Sequence, residues 1–368
     1  MIGQKGVPAT YGGVERHVEE LSARLAAMGH EVTAYARRHY ARAEKKHRGV
    51  ALRVLPSLNT KHLDALTHTA LAVCDAVRRD FDVIHFHGIG PAALAFVPRA
   101  LFWKKRAVVT TVHALDWRRR KWGIFAKGFL RCCGRAAVVF PHRTICVSRT
   151  IADRFGNRPR LVHIPNGVEP PVRAPLRTLR AKGVLSEGYI LWIGRFVPEK
   201  RVEDLIVAFR RLDPDRQLVL AGELDPADSY ARSLKAAAEK DPRILFVGGL
   251  YGEEKAEALA NAGIVVQPSE LEGFPIALLE AMRYGKPVLA SDIPEQLEAV
   301  RPGANGFVFR TGDADSLRKS LGWALSHPRE IAAAGKTAES DARSYGWDPI
   351  ARRTLAVYEE ALAEARRR

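Results

Sequence analysis

The chain has no apolar run near the roughly 18 residues that a membrane-spanning helix needs, so no segment of it reads as a transmembrane span. Its opening, Met1-Ile2-Gly3-Gln4-Lys5, has no apolar stretch of the signal-peptide kind. Cysteine is scarce: Cys74, Cys132, Cys133 and Cys146 form neither a CxxC pair nor a metal-ligand spacing. Solenoid-type repeats and low-complexity tracts are also missing. Together these absences set aside integral membrane proteins, disulfide scaffolds and cysteine-based metal modules. The expectation they leave is a cytoplasmic protein with reduced thiols.

What is present is ordinary globular material. Of 368 residues, 47% are hydrophobic and 27% charged, enough for two α/β cores. The net charge of +17 is unevenly spread. Residues 1–170 hold 29 Lys and Arg against 12 Asp and Glu, whereas residues 171–368 hold 29 of each. The whole excess therefore lies in the first half, which points to an anionic partner for that half alone: a membrane surface, an acidic substrate or nucleic acid.

Short β-rich apolar runs alternate with helical patterns, the signature of parallel sheets built from βαβ units. Strands are predicted at 31–36, 51–55, 82–86, 107–112, 144–147 and 161–164, and again at 189–193, 217–221, 244–247, 264–267, 287–290 and 306–309. Each half reads as a doubly wound domain. The cluster Pro165-Asn166-Gly167-Val168, followed by Pro170, Pro171 and Pro175, reads as the linker between them. The division predicted is 1–170, 171–346, and a helix within 347–368 with Ile350, Leu355, Tyr358 and Leu362 on one apolar face. A doubly wound domain opens with a strand that feeds its glycine-rich turn. Only Met1 and Ile2 precede Gly3, short of a strand of about 5 residues. The expectation is a first strand that begins upstream of Met1.

Three segments carry chemistry. The loop from Gly3 to Gly12-Gly13 runs into a helix at 14–28, whose stripe is Val14, Val18, Leu21 and Leu25. Paired glycines let a ligand approach a helix N-terminus, where free N–H groups favour an anion. The loop is neither GxGxxG nor a P-loop, and a plain structural turn reads equally well. The second segment, Gly194-Arg195-Phe196-Val197-Pro198-Glu199-Lys200, follows a strand, where open α/β sheets bind ligands. Arg195 offers a planar fork to phosphate oxygens and Lys200 a compact second charge. The alternative is a solvated basic turn. The third and most specific segment spans 268–282, with Glu272 in a loop, Pro275 in the first turn of a helix, Glu280 within it and Gly285 at its end. Both carboxylates can face one ligand and accept from hydroxyls, with the N–H groups of Gly273 and Phe274 between them.

At these residues the chain resembles the retaining glycosyltransferases of family 4, group 1, which have the GT-B fold. Glu272 and Glu280 match the family's E-x7-E motif. Gly194, Arg195 and Lys200 match its Gly-Arg-x4-Lys signature, and Gly12 and Gly13 its glycine-rich loop. His113 matches a histidine after the fourth strand, and Asn166-Gly167-Val168 is similar to the interdomain motif. The likeness runs from Gln4 to the final helix. The opening segment, 4–20, is similar to bacterial members that build exopolysaccharide or rhamnose-containing surface glycans.

The resemblance implies two Rossmann-like domains facing across a cleft, acceptor-binding first and donor-binding second, with the last helix crossing back. It implies that Arg195 and Lys200 hold the diphosphate of a nucleotide-diphospho-sugar, Glu280 the ribose hydroxyls and Glu272 the donor sugar. His113 would contact the sugar, and Gly12 and Gly13 would approach the phosphates. Transfer to a sugar or lipid-linked hydroxyl would proceed with retention, and neither cofactor nor metal would be needed. Two other readings are a catalytically inactive subunit that binds a membrane or partner, and a UDP-sugar 2-epimerase, which needs no acceptor. A nucleic-acid-binding protein rests on charge alone.

Weaker signals remain. His85 and His87 flank a strand end and read either as acceptor contacts or as satisfied structural histidines. Asp116 reads either as a base or as an exposed loop residue. Between 99 and 135 lie Trp103-Lys104-Lys105-Arg106, Arg118-Arg119-Arg120-Lys121, and Trp122, Phe125 and Phe129 at i, i+3 and i+7. An aromatic stripe beside a basic face composes a helix that lies on a membrane, and core packing is the alternative. The expected place is the inner face of the plasma membrane, with an anionic bilayer as partner and no nucleic acid.

Overall fold

The computed structural model describes residues 1–9, 12–40, 44–60, 63–101, 106–156, 158–212 and 215–367. Trp103, Lys104 and Lys105 of the basic run lie outside the described residues. The chain divides into two compact units, Met1–Gly167 with Trp347–Arg368, and Val168–Gly346.

In the first unit the elements follow as α1 (Gly13–Ala27), β1 (Thr33–Arg37), β2 (Lys46–His47), β3 (Val50–Leu55), α2 (Asp64–Val77), β4 (Val83–His87), α3 (Ile89–Ala92) and α4 (Phe96–Leu101). Then come β5 (Ala107–Val112), α5 (Ile124–Val139), β6 (Arg143–Cys146), α6 (Arg149–Phe155) and β7 (Leu161–His163). Strands β4-β5-β6-β7 form one parallel sheet; β1-β3-β2 form a second sheet, in which β1 runs parallel and β2 antiparallel to β3. Met1 and Ile2 join them. Tyr35 N donates to Met1 O and Met1 N to Thr33 O, while Ile2 N donates to His85 O and His87 N to Ile2 O. These two residues thus stand between β1 and β4, where a doubly wound sheet reverses its strand order. Every residue of β5 is buried, as expected for a strand covered on both faces.

The second unit holds α7 (Thr178–Ala181), β8 (Ile190–Ile193), α8 (Val202–Leu212), β9 (Leu218–Ala221), α9 (Ser229–Ala238), β10 (Ile244–Gly248), α10 (Gly252–Asn261) and β11 (Ile264–Gln267). It continues with α11 (Ile276–Arg283), β12 (Val288–Ser291), α12 (Pro294–Leu297), β13 (Phe307–Phe309), α13 (Ala314–Ser326) and α14 (Pro328–Ala342). Its six strands run parallel in the order β10-β9-β8-β11-β12-β13. The order reverses between β8 and β11. Trp192, Phe196, Leu205, Phe209, Leu220 and Val266 pack in its core.

The chain ends in α15 (Trp347–Arg367), which belongs to the first unit. Trp347, Ile350, Ala351, Thr354, Val357, Tyr358, Ala361 and Ala365 are its buried residues, one helical stripe packed on Leu21, Leu25, Val109 and Ile145. Gly167 packs so closely on the Trp347 indole that any Cβ would collide with it.

The fold class is therefore α/β, with parallel sheets in both units, and each of the twelve predicted strands has its counterpart within two residues at either end. The antiparallel pair β2–β3 was not foreseen, because a strand of two polar residues leaves no periodicity to detect. Two helix starts need correction. Pro275 stands before α11 as its N-cap residue rather than in its first turn, and Trp122 precedes α5, so it shares no helical face with Phe125 and Phe129. Among the described residues no helix is long and apolar enough to cross a membrane.

Candidate active site

The second unit gathers its charges where its strand order reverses. Gly194 and Arg195 leave β8, and Arg195 is exposed. A 3-10 turn at Pro198–Lys200 then leads through Arg201, held in the left-handed region at φ 49°, into α8. The loop after β11 is tied to this one. Gln267 Nε2 donates to Ile193 O (3.0 Å), Glu270 N to Glu199 O (2.9 Å), and Arg201 pairs with Asp204 (2.6 Å) and Glu270 (3.5 Å). The ties bring Lys200 onto Glu272, whose carboxylate receives its ammonium directly. These two residues are 72 apart in sequence.

Glu280 lies on α11 and has a partner that sequence reading missed. Lys255 Nζ, from α10, donates to Glu280 Oε1 at 2.5 Å. Nothing in the sequence marks Lys255, because a lysine on a solvated helix face is ordinary and only packing sets α10 beside α11. Gly222 is a second missed residue. It follows β9 where a Cβ would strike the carbonyl oxygen of Gly194, so a bare backbone is required for the turn carrying Arg195 to sit as it does. Gly273 and Phe274 precede α11, but the Phe274 side chain is buried with its ring 5.8 Å from that of Tyr345. Only the backbone of Phe274 remains to meet a ligand.

In the first unit, Gly12 (φ 106°) caps α1 in a conformation that L side chains rarely adopt, and Gly13 opens the helix. The loop is braced from beneath by carboxylates of α1: Glu15 accepts from Lys5 N (3.1 Å) and Glu19 from Ala9 N (3.2 Å). Thr10 and Tyr11 lie outside the described residues.

His113 follows β5 and joins a cluster of imidazoles. His87 Nδ1 is 3.2 Å from His113 Nε2, and the His17 and His113 rings are 4.7 Å apart. His85 is satisfied at both nitrogens, by Tyr358 Oη (2.6 Å) and Thr111 Oγ1 (2.8 Å), and is a structural histidine. His17 Nδ1 meets Asn166 Oδ1 at 2.9 Å. An amide oxygen only accepts, so His17 donates there and keeps its lone pair on Nε2. Burial lowers the His17 pKa to about 4 and pushes those of His85, His87 and His113 well below the usual value. All four are neutral at physiological pH. Asp116 begins a 3-10 turn, Asp116–Arg118, is only partly exposed and pairs with Arg119 at 3.0 Å.

Among the described residues, one group of His, Cys, Asp or Glu could hold a metal ion: His17, His87 and His113, with ligand atoms within 4.8 Å of one another. Asp-x-Asp triplets do occur in the sequence, at 80–82, 213–215 and 313–315. Asp80 and Asp82 are exposed near Arg106 and Arg366, and Asp313 caps α13. Asp213 lies outside the described residues.

Comparison with known proteins bears on the family and the fold. The family described as Glycosyltransferase Family 4 matches residues 11–171, and that described as Glycosyl transferases group 1 matches residues 178–341. The chain is 28% identical to an MMP alpha-(1->4)-mannosyltransferase of Mycolicibacterium hassiacum, over 96% of this chain and 95% of that one. It is 27% identical to a GDP-mannose-dependent alpha-(1-6)-phosphatidylinositol monomannoside mannosyltransferase of Mycolicibacterium smegmatis, over 89% of each. Among solved structures, a sucrose-phosphate synthase from Thermosynechococcus elongatus superposes with a TM-score of 0.86 at 22% identity, over 98% of both chains. Anabaena HepE in complex with UDP and glucose gives 0.79 at 20% identity, over 96% of this chain and 97% of that one. With both halves matched and the fold shared, the chain belongs to the family 4, group 1 glycosyltransferases of GT-B fold.

Proposed function

We propose that this glycosyltransferase moves a sugar from a nucleotide-diphospho-sugar to a hydroxyl of a sugar or lipid-linked acceptor, with retention of configuration and without a metal ion or other cofactor. Its place is the synthesis of cell-surface polysaccharide or glycolipid, at the inner face of the plasma membrane. The observation that carries the reading is the convergence of Lys200 and Glu272 beside Arg195 where β8 and β11 part, with Glu280 following on α11.

The chemistry is a matter of charge. Departure of a nucleoside diphosphate leaves an oxocarbenium-like sugar and places negative charge on the β-phosphate. Two cations, Arg195 and Lys200, stabilise that charge. An arriving diphosphate replaces the Glu272 carboxylate as the partner of Lys200, which frees Glu272 to accept from sugar hydroxyls. Glu280 accepts from the ribose, the backbone of Gly273 and Phe274 donates to phosphate or sugar, and His113 contacts the sugar. Gly12 and Gly13 leave backbone N–H groups open to phosphate. Nothing marks a carboxylate nucleophile, so retention follows from front-face attack, the leaving phosphate taking the acceptor's proton.

A thermal-shift panel of UDP, GDP, dTDP and ADP with their sugar conjugates tests this. GDP-mannose belongs in it because relatives are named as mannosyltransferases. A ligand at about a hundred times its Kd adds roughly 2.7 kcal/mol. One nucleotide series stabilises the protein, and Arg195→Ala or Glu280→Ala removes the shift. A folded sample that no nucleotide stabilises overturns the reading.

A further inference from the structure

Helix α5 is anchored by one half only. Its buried residues are Cys133, Gly134, Ala137 and Val138, all in the C-terminal half. There Gly134 lies so near Trp117 that a Cβ would sit 2.5 Å from the indole. The first two turns bury nothing. Ile124 is 79% exposed, Phe125 92% and Phe129 54%. Single exposed apolar residues are common, but three large ones within six positions form a patch that asks for a partner. The core-packing alternative for Phe125 and Phe129 is thereby excluded.

The surroundings say which partner. Residues 99–135 contain eleven Lys and Arg and one carboxylate, Asp116, which Arg119 already engages. Arg118, Arg120 and Lys121 are exposed immediately before the helix, as are Arg131 and Arg135 along it. Lys121 Nζ lies 4.7 Å from the Trp122 ring centroid, an aromatic–cation pair just ahead of the exposed patch. A second copy of this chain is disfavoured as occupant, because a twofold contact sets the same basic segment against itself. An apolar wedge ringed by cations fits instead a surface that is apolar within and anionic at its boundary.

We propose that the first two turns of α5 are a membrane-docking wedge. Ile124, Phe125 and Phe129 enter the interface of an anionic bilayer, and the neighbouring Arg and Lys residues bind its phosphates. The inference rests on the reading that acceptor is presented at a membrane, and names the element that meets it. Insertion needs no change in the fold, since Ile124 and Phe125 stand nearly bare and Phe129 more than half so.

The test is cosedimentation of the full chain with phosphatidylcholine vesicles, with and without phosphatidylglycerol. Binding is expected only with the anionic lipid and should fall with salt as the charges are screened. Phe125→Ser with Phe129→Ser should weaken it about tenfold or more, and Arg120→Glu with Lys121→Glu likewise. Absence of binding, or equal binding by the serine variant, overturns the proposal. So does a wild type that dimerises where the serine variant is monomeric. The nucleotide thermal shift, measured on the same variants, separates the two readings. A retained shift leaves the donor reading standing whatever the vesicles show, and its loss in wild type strikes that reading alone.

Discussion

Lys255 and Glu280 belong to successive helices of the second unit and share a hydrogen bond of 2.5 Å that holds the carboxylate proposed to bind the ribose. The lysine side chain is 26% exposed and the carboxylate 14%. If Glu280 holds the ribose as proposed, Lys255 is a positioning residue that acts through it.

Lys255→Met should raise the Kd for a ribonucleoside diphosphate about three- to tenfold, while affinity for the 2′-deoxy analogue changes less, because the deoxy sugar asks less of Glu280. Calorimetric titration of both ligands reads the split. Equal losses would show that the lysine supports the fold and not the ribose contact.

Lys200→Ala leaves Glu272 without its ammonium and the leaving group without one of two cations. A loss of about a hundredfold or more in kcat is expected, of the order seen when one oriented donor is removed from a developing charge. Steady-state kinetics with the donor found in the nucleotide panel measures it. Chelator should leave the wild-type rate unchanged.

Gly222→Ala places a methyl group against the carbonyl oxygen of Gly194. Backbone cannot yield as a side-chain end does, so a destabilisation of about 2 kcal/mol or more is expected. Chemical denaturation measures it, and nucleotide affinity should fall alongside because Arg195 is displaced.

The imidazole cluster makes the first unit sensitive to acid. Burial lowers the His17 pKa to about 4 and holds His85, His87 and His113 well below the ordinary 6.5. Below about pH 6.5 the unfolded chain takes up protons that the folded unit refuses, so stability is lost as pH falls through that range towards 4. The thermal midpoint should drop by several degrees between about pH 7 and pH 5. His17→Gln should flatten that slope. A midpoint independent of pH would show that these histidines take up protons in the folded unit as they do in the unfolded chain.

By itself the sequence determined where the strands lie, which loops follow them and that two similar sheets occur in succession. Those features rest on local signals: β-branched runs such as 107–112, glycines at turns, and the helical stripe of 349–367. The E-x7-E pair and the Gly-Arg-x4-Lys run were readable for the same reason, each being contained in one loop and the element beside it. Tertiary structure alone decided which charges meet. The Lys200–Glu272 and Lys255–Glu280 pairs span 72 and 25 residues, and no periodicity encodes such a distance. It also decided the state of the buried histidines, whose neutrality comes from solvent excluded by α1, α15 and the sheet together. The aromatics of α5 show the same limit. Helical spacing places Phe125 and Phe129 on one face, but whether that face covers a core or stands bare depends on what packs against it, and here the packing stops half-way along the helix.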